Sequence, residues 1–281
     1  MESKLNYDLV VIGGAEDKNG RKEILNEICN LINKDGDLLL VATIASEIQE
    51  EMEDIYNRVF REIGVKNIEF LNIDDRSESY LEENVELIKD SKLIFFTGGD
   101  QLKITSLIGG TPLNKALMDG MHNGKIIVGT SAGASVMSGT MILEGESEES
   151  PKKYSINMCP GLGLIENVVI DQHFSQRGRI GRLLTAIAEN PGYLGIGIDE
   201  DTAIVVDERK IIKVIGNGAV YIIDGSLINH TNISEQYRNK TLSIFNVKLH
   251  VLIKGNRFDL INKIPFEEEV VRDEDKRDKD I

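Results

Sequence analysis

The stretch Lys125–Gly139, KIIVGTSAGASVMSG, decides which fold and which chemistry the sequence predicts. A run of strand-forming residues ends there at Ser131, and Gly129 and Gly133 lie two residues away on either side. Glycines at this spacing allow a sharp turn from a strand into a helix, and such a turn pushes the serine towards solvent. Ser131 therefore belongs either to an ordinary tight turn or to a catalytic site as its nucleophile.

The same pattern of a strand followed by a helix repeats through the first two thirds of the chain. Apolar runs at Tyr7–Gly14, Asp37–Ala45, Asn67–Ile73 and Ser91–Asp100 alternate with amphipathic, helix-like segments. Continuous apolar strands that alternate with helices are typical of a parallel sheet covered on both faces. We therefore expect an α/β fold with a mostly parallel sheet flanked by helices.

After Asp199 the pattern changes to short strands separated by turn residues, as in Thr202–Gly225 and Thr241–Ile261. Since no linker rich in Pro or Ser precedes these strands, we expect them to form an antiparallel C-terminal extension of one domain. The predicted α/β domain covers residues 1–265. Residues 266–281 form a tail of mixed charge that we expect to be solvated.

Composition and charge exclude several classes of protein. The formal net charge of −15 over 281 residues repels phosphate backbones, which argues against nucleic acid as a partner. No apolar run approaches the roughly 20 residues of a membrane span, and the first residues do not follow the pattern of a signal peptide. Cys29 and Cys159 form neither a disulfide framework nor a metal-ligand spacing. We expect a cytoplasmic protein with no metal, no cofactor and no membrane partner.

Glycines mark three strand ends, at Gly13-Gly14, Gly98-Gly99 and Gly129. In an open parallel sheet, binding sites form at the carboxyl ends of the strands. The first of these segments, GGAEDK, does not complete the dinucleotide fingerprint G-x-G-x-x-G, and its acidic pair lies where a phosphate would bind. This comparison disfavours a nucleotide-binding protein.

A nucleophilic serine needs a general base, usually a histidine that a carboxylate orients. His173 follows the apolar segment NVVID, so it is predicted to lie at a carboxyl strand end, as Ser131 does. Asp199, Glu200 and Asp201 follow another apolar strand, in GIGIDEDTA. The pattern leaves open which of these acids would orient the histidine, and a solvated acidic turn is equally compatible with it.

Two further groups of residues complete the candidate site. The backbone N–H groups of Gly99 and Ala132 are candidate donors to an oxyanion. Arg177, Arg179 and Arg182 crowd the start of a predicted helix, where the helix dipole disfavours cations. These arginines either pair with the surplus acids of the protein or bind carboxylates of a substrate.

Four segments together, GTSAGASVM, FFTGGDQ, DQHFSQRGRIGRL and GIGIDEDTA, resemble the cyanophycinases. The resemblance extends from VVIGGAEDK to about Gly225. It implies a serine peptidase with a class I glutamine amidotransferase-like, flavodoxin-like fold related to aspartyl dipeptidase. The resemblance implies three catalytic residues: Ser131 as the nucleophile, His173 as its general base, and Glu200 as the acid that orients the histidine. The implied substrate pocket is lined by Asp171, Gln172, Arg177, Arg179 and Arg182.

The resemblance also implies the reaction. Cyanophycinases are exopeptidases that hydrolyse cyanophycin, a polyaspartate whose side-chain carboxyls carry arginine, to β-Asp-Arg dipeptides. A homodimer is implied too, and we expect Asp171 to be among the acids that hold the substrate's arginine. Two alternatives are an aspartyl dipeptidase-like peptidase acting on short Asp-containing peptides and a non-catalytic binding protein of the same fold.

Overall fold

Strands and helices alternate along the chain in a computed structural model that describes residues 7–145, 150–153, 155–235 and 240–267. The strands are β1 (Tyr7–Ile12), β2 (Leu38–Ala42), β3 (Asn67–Leu71), β4 (Leu93–Phe96), β5 (Ile126–Thr130), β6 (Thr140–Gly145), β7 (Ile156–Pro160), β8 (Val168–Gln172), β9 (Leu194–Ile198), β10 (Thr202–Asp207), β11 (Ile211–Gly216), β12 (Val220–Asp224), β13 (His230–Thr231), β14 (Ile244–Phe245), β15 (Lys248–Leu252), β16 (Asn256–Asp259) and β17 (Ile264–Glu267). The α-helices are α1 (Glu23–Cys29), α2 (Gln49–Ile63), α3 (Glu82–Asp90), α4 (Gln101–Ile108), α5 (Pro112–His122), α6 (Ala132–Ser135) and α7 (Ile180–Glu189), and a 3₁₀ helix covers Arg76–Tyr80.

The main sheet contains nine strands within the described ranges, in the order β17-β16-β11-β10-β1-β5-β4-β2-β3. The strands β1, β5, β4, β2 and β3 run parallel to one another. Beyond β1, the strands β10, β11, β16 and β17 extend the sheet with antiparallel pairing. The predicted α/β class, the parallel sheet and the antiparallel C-terminal extension are confirmed.

A second sheet lies beside the main one and, over the residues that the structure describes, has the strand order β15-β12-β9-β8. Its strands β8 and β9 are parallel, and β12 and β15 are antiparallel to their neighbours. The sequence pattern did not predict this division, because β8 and β9 have the same continuous apolar character as the main-sheet strands. As a result, His173 at the end of β8 approaches Ser131 at the end of β5 from a different sheet.

Both faces of the main sheet are buried. Since side chains alternate across a strand, Val11 packs into one apolar cluster, whose members also come from α4 and α5. Val10 packs on the opposite face into a second cluster, together with Tyr56 and Phe60 of α2. This two-sided burial is the physical reason for the continuous apolar strands in the sequence.

The elements end where local geometry requires it. Gly64 follows α2 with φ 100°, a left-handed conformation that glycine adopts easily, and it ends the helix. The helix α6 begins at Ala132 and has four residues. It ends early because the Val136 and Met137 carbonyls accept hydrogen bonds from residues 162 and 165 instead of continuing the helix.

The chain ends differ in part from the expectation. The predicted start of the charged tail at residue 266 falls inside β17, Ile264–Glu267, which is paired with β16. Residues 268–281, the remainder of that predicted tail, lie outside the described residues. Among the helices of the described ranges, none combines the length and the apolar character that crossing a membrane requires.

Candidate active site

Ser131 lies on a sharp turn between β5 and α6, with φ 54° and ψ −111°. A Cβ atom on Gly129 would lie 2.2 Å from the carbonyl oxygen of Gly133, and one on Gly133 would lie 2.4 Å from that of Phe96. Both positions therefore require glycine, because backbone approaches where a side chain would point. A left-handed serine costs about 1–3 kcal/mol and persists only where the surrounding structure enforces it.

A line of hydrogen bonds connects the serine to a carboxylate. Ser131 Oγ lies 2.9 Å from Nε2 of His173, and Nδ1 of the same ring lies 2.6 Å from Oε1 of Glu200. His173 is 8% exposed, whereas the Glu200 side chain is 36% exposed. With Nδ1–H donating to the carboxylate, Nε2 is free to accept the serine proton. This geometry suits nucleophilic catalysis.

The three consecutive acids have different surroundings. Asp199 is buried and accepts two backbone N–H groups, at 2.9 and 3.1 Å. Asp201 accepts a backbone N–H group at 2.9 Å and a side-chain amide at 2.6 Å. Glu200 is the acid that contacts His173. The two aspartates thus hold backbone segments together, while the glutamate between them faces the ring.

The protonation of His173 reflects its burial. Desolvation lowers the pKa of His173 below its ordinary value of 6.5, and the positive charges of Arg177 and Arg179 lower it further. The hydrogen bond to Glu200 and the charge of that carboxylate act in the opposite direction without reversing the shift. The ring therefore stays neutral, and able to accept a proton, to a lower pH than an exposed histidine would.

The loop after β1 contacts all the segments that carry these side chains. We call residues 12–18, the end of β1 with the segment GGAEDK, the β1 loop. Its carbonyl groups accept three backbone hydrogen bonds: Ile12 O from Ser131 N at 3.2 Å, Gly13 O from His173 N at 2.8 Å, and Gly14 O from Asp201 N at 3.0 Å.

The candidate oxyanion donors lie beside the nucleophile. A Cβ atom on Gly98 would lie 3.3 Å from Cβ of Ser131, so the Gly98-Gly99 turn borders the serine. Gly99 has φ 142°, and a Cβ atom there would lie 2.1 Å from the carbonyl oxygen of Ala45. Ala132 follows the serine directly as the first residue of α6. Both candidate donors therefore belong to backbone next to Ser131, which is where an oxyanion hole needs its N–H groups.

Four side chains of the segment DQHFSQRGRIGRL form a buried polar network: Asp171, Gln172, Arg179 and Arg182. Asp171 is 1% exposed and accepts two hydrogen bonds from Arg182, of which Nε to Oδ2 measures 2.7 Å. Arg179 is also buried and contacts Asp171 Oδ1 at 3.3 Å, and it donates to the side chain of Gln172. Burial lowers the pKa of Arg179 to about 10, so the guanidinium remains charged at neutral pH.

This network corrects one expectation and separates one arginine from the others. Both carboxylate oxygens of Asp171 have arginine partners within the protein, which argues against direct contact between Asp171 and a substrate's arginine. Pairing with acids, one of the two alternatives for the arginine cluster, describes Arg179 and Arg182. The side chain of Arg177 is exposed close to His173.

The sequence analysis did not predict the surroundings of Glu16. This carboxylate is 3% exposed and lies 2.6 Å from Tyr56 Oη and 2.6 Å from Lys18 Nζ. It also accepts a hydrogen bond from Thr130, the residue before the nucleophile. The available signal in the sequence is an acid two residues after the glycine pair that follows the mainly apolar strand β1, but the segment GGAEDK was interpreted only as a candidate nucleotide loop.

Comparisons with known proteins show which family the chain is similar to. Residues 9–214 match peptidase family S51. The chain is 38% identical over 260 residues to a cyanophycinase of Geminocystis herdmanii, covering 92% of this chain and 96% of that protein. It is 37% identical over 256 residues to a cyanophycinase of a Nostoc species, covering 91% and 86%.

More distant similarities include one sequence relative and one solved structure. A peptidase E of a Nostoc species is 27% identical over 210 residues, which cover 72% of this chain and 80% of that protein. The solved structure of a peptidase from an acI-B1 Actinobacterium aligns with a TM-score of 0.63 at 24% identity, covering 89% of this chain and 96% of that one. The resemblance inferred from the sequence is confirmed, and the chain belongs to peptidase family S51, the family of serine peptidases that its cyanophycinase relatives represent.

Proposed function

We propose that the protein is a cyanophycinase, a serine exopeptidase that releases β-Asp-Arg dipeptides from cyanophycin. The observation that carries the proposal is the hydrogen-bonded line from Ser131 through His173 to Glu200. The choice of cyanophycin over other peptides is supported by the 37–38% identity to cyanophycinases, which extends over about nine tenths of the chain.

In the proposed reaction, Ser131 attacks the scissile carbonyl carbon while His173 takes the serine proton at Nε2. The C–N bond then breaks as the imidazolium returns that proton to the leaving amine. Water, deprotonated by the same ring, hydrolyses the acyl-enzyme and regenerates the serine. Glu200 keeps the ring in the productive tautomer and stabilises its charged form.

The backbone N–H groups of Gly99 and Ala132 are proposed as donors to the tetrahedral oxyanion. The proposal is supported by the Gly98-Gly99 turn, which borders Ser131, and by Ala132, which follows it directly. Donors held by rigid backbone need no reorganisation as negative charge develops, and the loss of one such donor typically costs about 3 kcal/mol of transition-state stabilisation.

For the substrate pocket, we propose that Arg177 contacts a carboxylate of the substrate. Support comes from the exposure of this guanidinium beside the base. The buried side chains of the same segment act as the wall that holds it, namely Asp171, Gln172, Arg179 and Arg182. The proposal also includes a homodimer and a cytoplasmic location, where the free thiols of Cys29 and Cys159 stay reduced.

The test is incubation of the purified protein with insoluble cyanophycin, followed by mass analysis of the soluble products. We expect β-Asp-Arg from the wild type and from Ser91→Ala, which changes a buried serine bonded to Ile88 away from the site. Ser131→Ala should release none. Cleavage of an α-Asp dipeptide with intact cyanophycin would instead support the dipeptidase alternative, and failure of a fluorophosphonate to label Ser131 would support the non-catalytic one.

A further inference from the structure

We propose that Glu16 is a positioning residue, which locks the β1 loop to the nucleophile strand so that serine and histidine keep their reactive geometry. This inference rests on the proposed function. It assigns a role to the acidic segment GGAEDK, which does not complete the dinucleotide fingerprint. The argument starts from the backbone of the β1 loop and continues to the carboxylate.

The β1 loop is the shared support of the nucleophile and the base. The carbonyl of Ile12 accepts the amide of Ser131, and the next carbonyl accepts the amide of His173. The two acceptor carbonyls belong to adjacent residues, so the backbone conformation of this loop sets where the serine and the histidine lie relative to each other. The bond from Asp201 N to Gly14 O ties the loop to the segment after β9, and an attachment to the strand β5 would also keep it in register with the nucleophile.

Glu16 supplies that attachment. One carboxylate oxygen accepts the phenolic O–H of Tyr56, which belongs to the long helix α2 on one face of the sheet. The other accepts the hydroxyl of Thr130, the last residue of β5. The carboxylate thus joins the β1 loop, a buried helix and the strand that presents Ser131, and Lys18 balances its charge at 2.6 Å.

The chemistry of these partners favours a rigid link. Thr130 is 3% exposed and β-branched, so its side chain has little rotational freedom, and its motion is tied to that of the backbone. Ser131, the next residue, has the left-handed φ of 54° that only a constrained surrounding maintains. Hydrogen bonds to a charged acceptor are shorter and stronger than neutral ones, which suits a residue that must hold position.

The experiment compares kcat and KM on cyanophycin with the rate at which a fluorophosphonate labels Ser131. We expect Glu16→Gln and Thr130→Val each to lower kcat and the labelling rate by roughly 10- to 100-fold, with KM nearly unchanged, because misplacement affects the reacting atoms more than binding. Thr130→Ser keeps the hydroxyl and should retain most of the wild-type rate.

The double variant tests whether the two residues act together. If Glu16 acts through Thr130, Glu16→Gln combined with Thr130→Val should be about as slow as the slower single variant. Multiplying effects, or wild-type rates in a folded Thr130→Val protein, would overturn the proposal. The matched control is Asp207→Asn, which changes a buried carboxylate at the end of β10 that accepts the amides of Arg209 and Ile211.

Two further readouts keep the test decisive. If Glu16→Gln does not fold, Tyr56→Phe and Thr130→Val remove the same hydrogen bonds one at a time while conserving shape. If the wild type does not degrade cyanophycin, the proposed substrate is wrong, but the labelling rates still measure whether Glu16 positions the serine. The two failures are therefore distinguishable.

Discussion

The imidazole ring of His173 packs directly against the α-carbon of Gly14. A Cβ atom on that glycine would lie 2.4 Å from both Cε1 and Nε2 of the ring, and the glycine has φ 96°. Nε2 is also the atom that faces Ser131 Oγ. The glycine therefore makes room for the ring at the point where the proposed proton transfer occurs.

Gly14→Ala should consequently displace the ring and lower kcat by about 100-fold or more, because near-attack geometry is lost. Gly64→Ala is a matched control, since Gly64 has φ 100° and no heavy atom within 4 Å of the added Cβ. Both variants carry similar backbone strain, but only the first creates a clash. Activity assays at equal folded concentration, checked by circular dichroism, measure the difference. Equal losses in the two variants would contradict the explanation.

Substitutions in the acidic triplet Asp199-Glu200-Asp201 should affect either catalysis or stability, depending on the position. Glu200→Gln is expected to lower kcat on the order of 10³- to 10⁴-fold, because the amide no longer fixes the tautomer and charge of His173. Asp199→Asn should mainly lower the free energy of unfolding, because that carboxylate accepts two backbone amides. Steady-state kinetics and urea unfolding of both variants test this ranking. A larger loss of kcat in the aspartate variant would contradict the assignment.

The rate should depend on pH through His173. A general base works in its neutral form, and burial lowers the pKa of this ring. In a plot of the Ser131 labelling rate against pH, the rate should therefore decline on the acidic side, along a limb with its midpoint below pH 6.5. Arg177→Gln removes a positive charge that lowers the pKa of the ring, so the limb should move to higher pH. Added salt should reduce that difference, because Arg177 is exposed.

The control for this titration is Arg58→Gln, which removes an exposed arginine from α2 and should leave the limb in place. Measuring the labelling of Ser131 rather than the cleavage of cyanophycin separates the base from substrate binding. A limb that moves to lower pH in Arg177→Gln would show that the arginine does not act through its charge on His173.

The buried pair of Asp171 and Arg182 should be important for folding. Asp171→Asn leaves buried guanidinium groups without their carboxylate, and breaking such a pair typically costs about 3–5 kcal/mol in the free energy of unfolding. Asp35→Asn breaks the exposed pair with Lys66 and should change stability little. Urea unfolding measures both. A small effect of Asp171→Asn would mean that the network is not structurally coupled to the fold.

The sequence was sufficient to predict the α/β class and the turn at Ser131, for physical reasons that the structure makes clear. Close backbone contacts leave no room for a Cβ atom at Gly129 or Gly133, so the spacing G-x-S-x-G follows directly from the shape of the turn. Continuous apolar strands report burial on two faces. Local patterns of this kind can be seen in a sequence because each depends on a few neighbouring residues.

Relationships between distant segments could not be predicted in this way. Alternation along a strand does not identify the acid that orients His173, because Glu200 and Asp201 lie in a turn, where Asp201 has φ 47°. The second sheet formed by β8, β9, β12 and β15 depends on pairing that the apolar pattern does not specify. The contact between Glu16 and Thr130 joins residues far apart in sequence, and no local pattern encodes it.

The central place of β1 in the main sheet also bears on when the enzyme becomes active during its synthesis. Leu9 of β1 pairs with Ile127 of β5 on one side and with Val206 of β10 on the other. A ribosome therefore completes both Ser131 and His173 before it has made the strand that secures the far side of β1. Because long-range pairing forms late, we expect a nascent chain to carry the serine and the histidine before the two are aligned. We therefore expect hydrolytic activity only once most of the polypeptide has been translated and folded.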